Sequence, residues 1–127
     1  MAFKIAGSTI VDDNRGIRSY SDTAVVVGNT GATPDLDLSL GNSFTATLNQ
    51  NATFTFSNAP TGVCSFTLIL SNDGTPDRTI TWPVSVEFPN GTTPERTTTA
   101  SRTDVYTFLT VDGGTNWYGQ LSLYNFA

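Results

Sequence analysis

Apolar and polar residues alternate along the middle of the chain, from residue 43 to residue 88. A period of two places successive side chains on opposite faces of a strand, one face buried and the other wet. The apolar positions of four such segments are Phe44, Ala46 and Leu48; Phe54 and Phe56; Phe66, Leu68 and Leu70; and Ile80, Trp82, Val84, Val86 and Phe88. The pattern predicts half-buried antiparallel strands, and it places Trp82 in the core.

Clusters of Asn, Gly, Pro and Asp separate these segments, at residues 49–51, 58–62 and 71–77. Gly and Asn tolerate positive φ and Pro presets φ, so the clusters predict turns between hairpin strands. Gly41 and Asn42 predict a further hairpin turn into the first segment.

Two more strands are predicted near the end of the chain, over residues 104–111 and 117–126. The last one places Trp117, Leu121 and Leu123 opposite Tyr118 and Tyr124. The two tyrosines are therefore candidate surface-contact residues, for a sugar or for a neighbouring subunit. In total about seven or eight short strands and no helix are predicted, which is typical of an all-β sandwich or barrel. We expect an antiparallel β-sandwich, jelly-roll-like or Ig-like.

Residues 1–33 differ from the rest, because their apolar residues come in short pieces broken by Gly, Asp and Asn. No piece is long enough for a helix, and no helical period appears. We expect an extended N-terminal arm with one or two short strands, followed by the sandwich body over residues 34–127. Val25, Val26 and Val27 are apolar on both faces, which predicts a strand covered on both sides or lying against a neighbouring subunit.

Composition narrows the function classes. A chain of 127 residues is one domain, or one domain with an arm. Only 13% of its residues are charged and the net charge is −5, with no basic cluster, so nucleic acid is not an expected partner. No apolar run approaches the roughly 20 residues that span a bilayer, so no membrane association is expected.

Candidate catalytic and metal-binding groups are few. The chain has no histidine, the usual general base and transition-metal ligand. The carboxylates that come in pairs are Asp12 with Asp13, Asp35 with Asp37, and Asp73 with Asp77. Nothing in the sequence indicates that either carboxyl of a pair faces the other across a sugar, as a glycosidase requires. Asp73 and Asp77 could bind calcium, but their role in forming a turn explains them equally well. We expect the protein not to be an enzyme and to bind no cofactor or metal ion. We expect Cys64 to be a small core residue.

Two parts of the chain have sequences similar to segments of a known class of proteins. The opening, residues 3–17, reads FKIAGSTIVDDNRGI, and later stretches read TDVYTF (103–108) and GTNWYG (114–119). The opening resembles the short leader K-I-x-G-x-x-V-I-D-D-x-R-x-I of virion structural proteins from tailed phages, especially those of marine and cyanobacterial hosts. The later stretches, together with residues 43–88, are similar to a β-module common in such proteins.

The resemblance implies that residues 1–33 attach the protein to a particle and that the body is displayed. The candidate partner-binding residues of the arm are Phe3, Ile5, Ile10, Val11 and Ile17. Long fibre proteins continue far beyond the leader, whereas here a single module follows, so a capsid decoration or cement protein fits better. The expected location is the virion, with the major capsid protein or another virion protein as partner and a homo-oligomeric state.

Two other functions stay open at this point. A tail-associated or tail-fibre module would have the same leader and the same β-body. A binding module for glycans or a host surface would use loops and exposed aromatic residues. Copy number in purified particles distinguishes capsid from tail, and glycan binding tests the second alternative directly.

Overall fold

The structure, a computed structural model, describes residues 3–6, 8–11 and 23–127. In this part of the chain it contains twelve strands and one short 3-10 turn, Pro89–Gly91. The strands are β1 (Phe3–Ile5), β2 (Ser8–Val11), β3 (Val25–Asn29), β4 (Asp35–Asp37), β5 (Ser43–Leu48), β6 (Ala52–Thr53), β7 (Thr55–Ser57), β8 (Cys64–Asn72), β9 (Ile80–Thr81), β10 (Val86–Glu87), β11 (Thr103–Thr110) and β12 (Trp117–Phe126). The prediction of an all-β protein is confirmed.

Six strands form the main sheet, in the order β10–β12–β11–β8–β5–β3. Strand β11 pairs antiparallel with β12 and with β8. The other three pairings, β10 with β12, β5 with β8 and β3 with β5, are parallel. The sheet is therefore mixed, and within it the predicted antiparallel pairing is correct only for β12, β11 and β8.

The parallel pairing of β5 with β8 comes from the path of the chain between them. That path does not turn back as a hairpin; it runs through β6 and β7, which pair elsewhere, with β9 and β4. A connection of this length lets β8 start beside the start of β5, as a parallel pair requires. The hairpin turn predicted at Gly41 and Asn42 is also wrong, since β4 pairs with β7 and not with β5. Alternation alone carries no information on strand direction.

A second, smaller layer is built from three short segments, residues 32–38, 52–57 and 79–81. The Thr53 and Thr55 N–H groups donate to the Ala32 and Pro34 carbonyls at 2.9 and 3.0 Å. On the other side, the Phe54 N–H donates to the Thr81 carbonyl at 2.9 Å. Both strand pairs of this layer are parallel.

Aromatic side chains join the small layer to the main sheet. Phe66 and Phe108 lie directly opposite each other on β8 and β11, with ring centroids 4.9 Å apart. Phe56 of the small layer meets both rings edge-on, at 4.9 and 5.0 Å. The core is therefore centred on the inner face of the main sheet, and it contains the buried residues Leu36, Leu38, Phe44, Ala46, Leu48, Ala52, Phe54, Phe66, Leu68, Leu70, Phe88, Tyr106, Phe108 and Trp117.

The single strand predicted over residues 80–88 is wrong. Strand β9 ends at Thr81 and β10 begins at Val86. Pro83 has no N–H to pair, and its carbonyl accepts from the Val86 N–H at 3.0 Å, which closes a turn. Val84, on this turn, is fully exposed rather than buried.

The predicted inward position of Leu123 is also wrong, because strand β12 contains a bulge. The pairing shifts from Tyr106 opposite Leu121 to Val105 opposite Leu123, which leaves Ser122 as an extra residue. An extra residue reverses the faces of the residues beyond it. Trp117 and Leu121 pack on the core as predicted, whereas Leu123 is exposed.

The N-terminal strands β1 and β2 form an antiparallel two-stranded sheet, separate in its hydrogen bonding from the other described strands. Strand β3 also precedes residue 34, and it is one of the two edge strands of the main sheet. Val25 and Val27 pack on the core but Val26 is 77% exposed, so β3 is not covered on both sides within the chain. Residues 12–22 lie outside the described residues, and the extent of the arm stays a prediction.

Replacing Trp82 with Ala tests the aromatic core. The Trp82 ring lies 5.1 Å from Phe54, 4.9 Å from Tyr106 and 5.3 Å from Phe108. We expect Trp82→Ala to lower the free energy of unfolding by about 3 kcal/mol, because it removes a large packed side chain. Urea denaturation measures the change, and Tyr124→Ala, which truncates an exposed aromatic residue, is the control. Equal stability of the two variants contradicts the assignment of Trp82 to the core.

Replacing Gly119 with Ala tests the packing of β12 on the core. A Cβ at position 119 lies 2.9 Å from ring atoms of Phe108 and Phe88, closer than van der Waals contact allows. We expect Gly119→Ala to destabilise the protein by about 1–3 kcal/mol through overpacking. Gly74→Ala is the matched control, because a Cβ there meets no atom within 4 Å. Thermal unfolding of the two variants gives the comparison, and an unchanged Gly119→Ala protein contradicts this geometry.

Candidate functional site

The outer face of the main sheet carries a row of polar side chains in register. Ser43, Thr67, Thr107 and Gln120 lie opposite one another across β5, β8, β11 and β12. They are on this face because their inward neighbours, such as Phe44, Phe66 and Phe108, fill the core. The Gln120 amide donates to the Ser122 hydroxyl at 3.3 Å, and Ser122 is hydrogen-bonded to Thr107 at 2.7 Å. Hydrogen bonds therefore hold part of this row in place.

A second row of side chains runs beside the first, two residues away along β8, β11 and β12, and it extends onto β10. Ser65, Leu109, Tyr118 and Glu87 lie opposite one another on β8, β11, β12 and β10. Tyr118 is 53% exposed and Leu109 is 41% exposed. The two rows line a groove of about 830 Å³, which Asn42 and Pro89 also line. We call this the outer groove.

The turn before β12 determines where Tyr118 stands. The Asp112 carboxylate accepts from the Asn116 backbone N–H, the Asn116 side chain and the Thr110 hydroxyl, each at 2.9 Å. Within the turn, Gly114 has φ +87° and packs against the Trp117 ring, a conformation and a closeness that favour glycine. Trp117 is then buried on the inner face, so Tyr118, the next residue, points outward.

These contacts account for most of the GTNWYG stretch in structural terms. Gly114 closes the turn, Asn116 completes its hydrogen bonds, Trp117 anchors the strand and Gly119 makes room for two rings. Tyr118 is the one large side chain of the stretch left on the surface. It is therefore the residue of this motif that is available for binding.

Next to the outer groove lies a more apolar row. Val26, Thr45, Ile69, Val105 and Leu123 lie opposite one another across five strands, from β3 to β12. Val26, Ile69 and Leu123 are exposed by 77%, 40% and 54%. The outer face thus combines a polar groove with an exposed apolar row.

A buried polar cluster closes one end of the sheet. Asp104 accepts from the Thr97 N–H at 2.8 Å and the Asn125 N–H at 3.0 Å. Asn72 donates to the Thr97 and Thr99 carbonyls at 3.0 and 2.7 Å, and its own carbonyl oxygen accepts from Arg96. These bonds hold the irregular segment 95–101 over β8 and β11, so the role of the cluster is structural.

Tyr106 borders this cluster from the core. Burial and the nearby Asp104 carboxylate raise the pKa of the Tyr106 hydroxyl well above its ordinary value. Tyr106 is therefore neutral in any ordinary buffer, and it is a packing residue rather than an acid or base.

Of the paired carboxylates named from the sequence, Asp35 and Asp37 serve as hydrogen-bond acceptors. Asp35 accepts from the Thr55 and Ser57 hydroxyls at 2.9 and 2.6 Å, which ties β4 to β7. Hydrogen bonds from Ser39 and Asn58 lower the pKa of Asp37. Asp12 and Asp13 lie outside the described residues.

Asp73 is an ion-pair partner in the loop considered for calcium. Its Oδ2 atom lies 3.0 Å from Arg78 Nη2, and hydrogen bonds from Arg78 and Thr75 lower its pKa. Asp77 sits at φ +62°, as a turn residue does. Among the described residues, no group of three or more His, Cys, Asp or Glu side chains is placed to hold a metal ion.

Cys64 is half-buried against the core at the start of β8, and burial raises the pKa of its thiol. A raised pKa keeps the thiol protonated at neutral pH and makes it a poor nucleophile. The described contacts agree with a packing role.

The predicted surface residues Tyr118 and Tyr124 are both exposed, but they do not share a site. Tyr118 lines the outer groove. Tyr124 lies beyond the bulge of β12, beside residues 95–99 in a depression of about 370 Å³. Phe3, Ile5, Ile10 and Val11 fall in β1 and β2, whose side chains are not among those described, and Ile17 lies outside the described residues.

Sequence reasoning missed Glu87, Gln120 and the outer hydroxyl row. The signal is present as Ser and Thr at alternate positions, but this alternation by itself predicts only a wet strand face. Which hydroxyl lies beside which depends on strand order and register, and neither follows from a period of two.

Comparison of the chain with protein-family models, with curated proteins and with solved structures finds no match. Within residues 3–6, 8–11 and 23–127, no helix has the length and apolar character needed to cross a membrane.

The Asp112 turn predicts a dependence of stability on pH. Hydrogen bonds from Asn116 and Thr110 lower the pKa of Asp112 in the folded state. Its stabilising contribution is therefore present above the pKa of a free Asp, about 3.9, and is lost as pH falls through the lower folded pKa.

We expect Asp112→Asn to be less stable than the unmodified protein at neutral pH and to approach it in stability under strongly acid conditions. Urea denaturation at several pH values measures this convergence. Glu95→Gln, at an exposed position, controls for the change in net charge. A constant difference across the pH range contradicts the role assigned to the Asp112 carboxylate.

Proposed function

We propose that the protein is a non-enzymatic structural protein of a virion, with capsid decoration or cement as its role. In this proposal the arm predicted over residues 1–33 attaches the protein to the major capsid protein or another virion protein. The contact lies in the segment before β3, because β3 is part of the main sheet of the body. The body over residues 34–127 is displayed on the particle, in a homo-oligomeric arrangement. The resemblance of the leader and the β-module suggests this role, and the pairing of the N-terminal strands supports it.

The observation that carries the proposal is the separate N-terminal hairpin. Strands β1 and β2 pair with each other, and they make no sheet with the rest of the described chain. An isolated two-stranded hairpin is marginally stable in water, so it gains from a partner surface. Phe3, Ile5, Ile10 and Val11 all lie in these two strands. Burying each large apolar side chain on a partner contributes about 1.5–3 kcal/mol.

Exposed strand edges offer the second source of binding energy. The outer edges of a two-stranded sheet carry backbone N–H and C=O groups that edge pairing with a partner strand satisfies. Edge pairing together with apolar burial offsets the cost of ordering the arm, about 1–2 kcal/mol per residue. We therefore propose that the arm adds strands to a neighbouring subunit.

The body has properties that suit display. We infer a β-sandwich-like body, in which the main sheet packs on the smaller layer through Phe56, Phe66 and Phe108. Its net negative charge favours solubility over nucleic-acid binding. The described carboxylates with lowered pKa, Asp37, Asp73 and Asp112, all accept hydrogen bonds within turns, which favours structural over catalytic roles.

Deleting residues 2–20 tests the attachment role. We expect a soluble, folded β-body that no longer binds particles assembled without the protein, because the deletion removes β1 and β2. Circular dichroism and thermal unfolding check the fold, and co-sedimentation with the particles measures occupancy. A truncated protein that decorates particles to full occupancy places the contact in the body instead.

A substitution variant separates apolar contact from chain length. The variant should weaken particle binding as the deletion does when it carries Ser in place of Phe3, Ile5, Ile10 and Val11. The matched control changes three exposed valines of the body, Val63, Val84 and Val111, to Ser, and it should bind normally. Copy number in purified particles then distinguishes the alternatives: many copies support capsid decoration, and a handful support a tail or fibre component.

A further inference from the structure

We propose that the outer groove is a binding site for a neutral saccharide chain, with Tyr118 as its stacking platform and Gln120 and Glu87 as polar contacts. The groove crosses the outer face of the main sheet over β5, β8, β11, β12 and β10. The inference concerns the body alone, and it does not depend on the attachment role of the arm.

The charge of the groove selects the ligand class. Among the described residues that line it, Glu87 is the one charged side chain, and Lys and Arg are not present. A phosphate, a sulfate or an acidic sugar therefore meets no cation and faces a carboxylate, which disfavours it. Hydroxyl and amide groups supply the rest of the polar lining, and each both donates and accepts hydrogen bonds. An uncharged ligand rich in hydroxyl groups matches this set.

The size of the groove fits a chain rather than a single small molecule. Its volume of about 830 Å³ lies within the range of ligand sites, roughly 300–1,000 Å³. The row Ser43–Thr67–Thr107–Gln120 crosses four strands, and three strand spacings of about 4.8 Å give a length of about 14 Å. A row of this length places polar groups along several units of an extended oligosaccharide.

Tyr118 provides the apolar contact that a sugar ring requires. It is 53% exposed and stands beside Leu109, its partner across β11 and β12. The C–H face of a sugar packs on an aromatic ring, while the Tyr hydroxyl keeps a polar partner. Trp117 and the Asp112 turn hold the backbone beneath it, so little flexibility is lost on binding.

Gln120 and Glu87 flank this platform with complementary chemistry. The Gln120 amide is oriented by its hydrogen bond to Ser122. Glu87 lies directly opposite Tyr118 on β10, at the edge of the sheet. A carboxylate accepts from two adjacent hydroxyls, and an amide both donates and accepts. Paired-carboxylate glycoside hydrolysis needs two facing carboxyl groups, and the described lining has one, so the geometry favours binding without cleavage.

The test uses the full chain, labelled with ¹⁵N, and four neutral probes: maltohexaose, cellohexaose, xylohexaose and mannohexaose. Titration to millimolar concentration is followed by NMR. We expect at least one probe to shift the amide signals of Thr107, Tyr118 and Gln120 in a saturable way. Signals near Tyr124, which lies outside the groove, should stay in place. Oligogalacturonate, an acidic chain, should bind more weakly than the best neutral probe.

Matched variants decide whether the groove is responsible. We expect Tyr118→Ala to weaken binding at least about tenfold, since the stacking contact is lost. Tyr124→Ala removes a tyrosine elsewhere that is more exposed than Tyr118, and this variant should bind as the unmodified chain does. Gln120→Ala should weaken binding without affecting stability. The proposal is overturned if none of the four probes shifts the groove signals, if the acidic chain binds best, or if the two tyrosine variants bind equally well.

Discussion

The packing of Phe56 against the stacked pair of Phe66 and Phe108 is the contact on which both layers depend. Phe66 and Phe108 come from adjacent antiparallel strands, and their rings stack at 4.9 Å. Phe56 reaches them edge-on from the smaller layer, and Trp117 lies 5.3 Å from Phe66 and 5.5 Å from Phe56. Aromatic pairs in these geometries contribute about 0.5–1.5 kcal/mol beyond the burial of their area. The cluster therefore buries apolar surface between the two layers, and the geometry of its rings also orients one layer on the other.

A core this rich in rings imposes conditions on its neighbours. A Cβ at position 119 would crowd the rings of Phe108 and Phe88, and one at position 114 would crowd Ala59 and Trp117. Because large inward residues fill the core, the outward side chains of the same strands are not needed for core packing. On β11 and β12 these outward positions are Thr107, Leu109, Tyr118 and Gln120, which line the outer groove. Packing therefore constrains the residue types on the outer face less than those on the inner face, and the outer residues can serve binding.

Attachment and binding fall in separate regions of the chain in the proposed functions. The hairpin of β1 and β2 pairs only with itself among the described strands, and it fits a docking element. The outer groove belongs to the main sheet and fits a saccharide chain. A displayed body with its own ligand site is physically compatible with an arm that anchors it, since neither uses the residues of the other.

The sequence by itself determined the class of the fold and most of the core. Alternation identified Phe44, Phe66 and Leu68 as one-sided strand residues, and all three are buried. It also indicated Tyr118 as a surface residue. These predictions succeed because the face of a side chain on a regular strand depends only on local backbone geometry.

Only the tertiary structure decided strand direction, register and the composition of the site. The parallel pairing of β5 with β8 and the bulge at Ser122 depend on where the chain returns, which a local pattern does not contain. Glu87 and Ser43 lie far apart in the sequence, and they line one groove because strand order brings their rows together. Alternation places a side chain on a face, whereas long-range pairing selects its neighbours, and a site is made of neighbours.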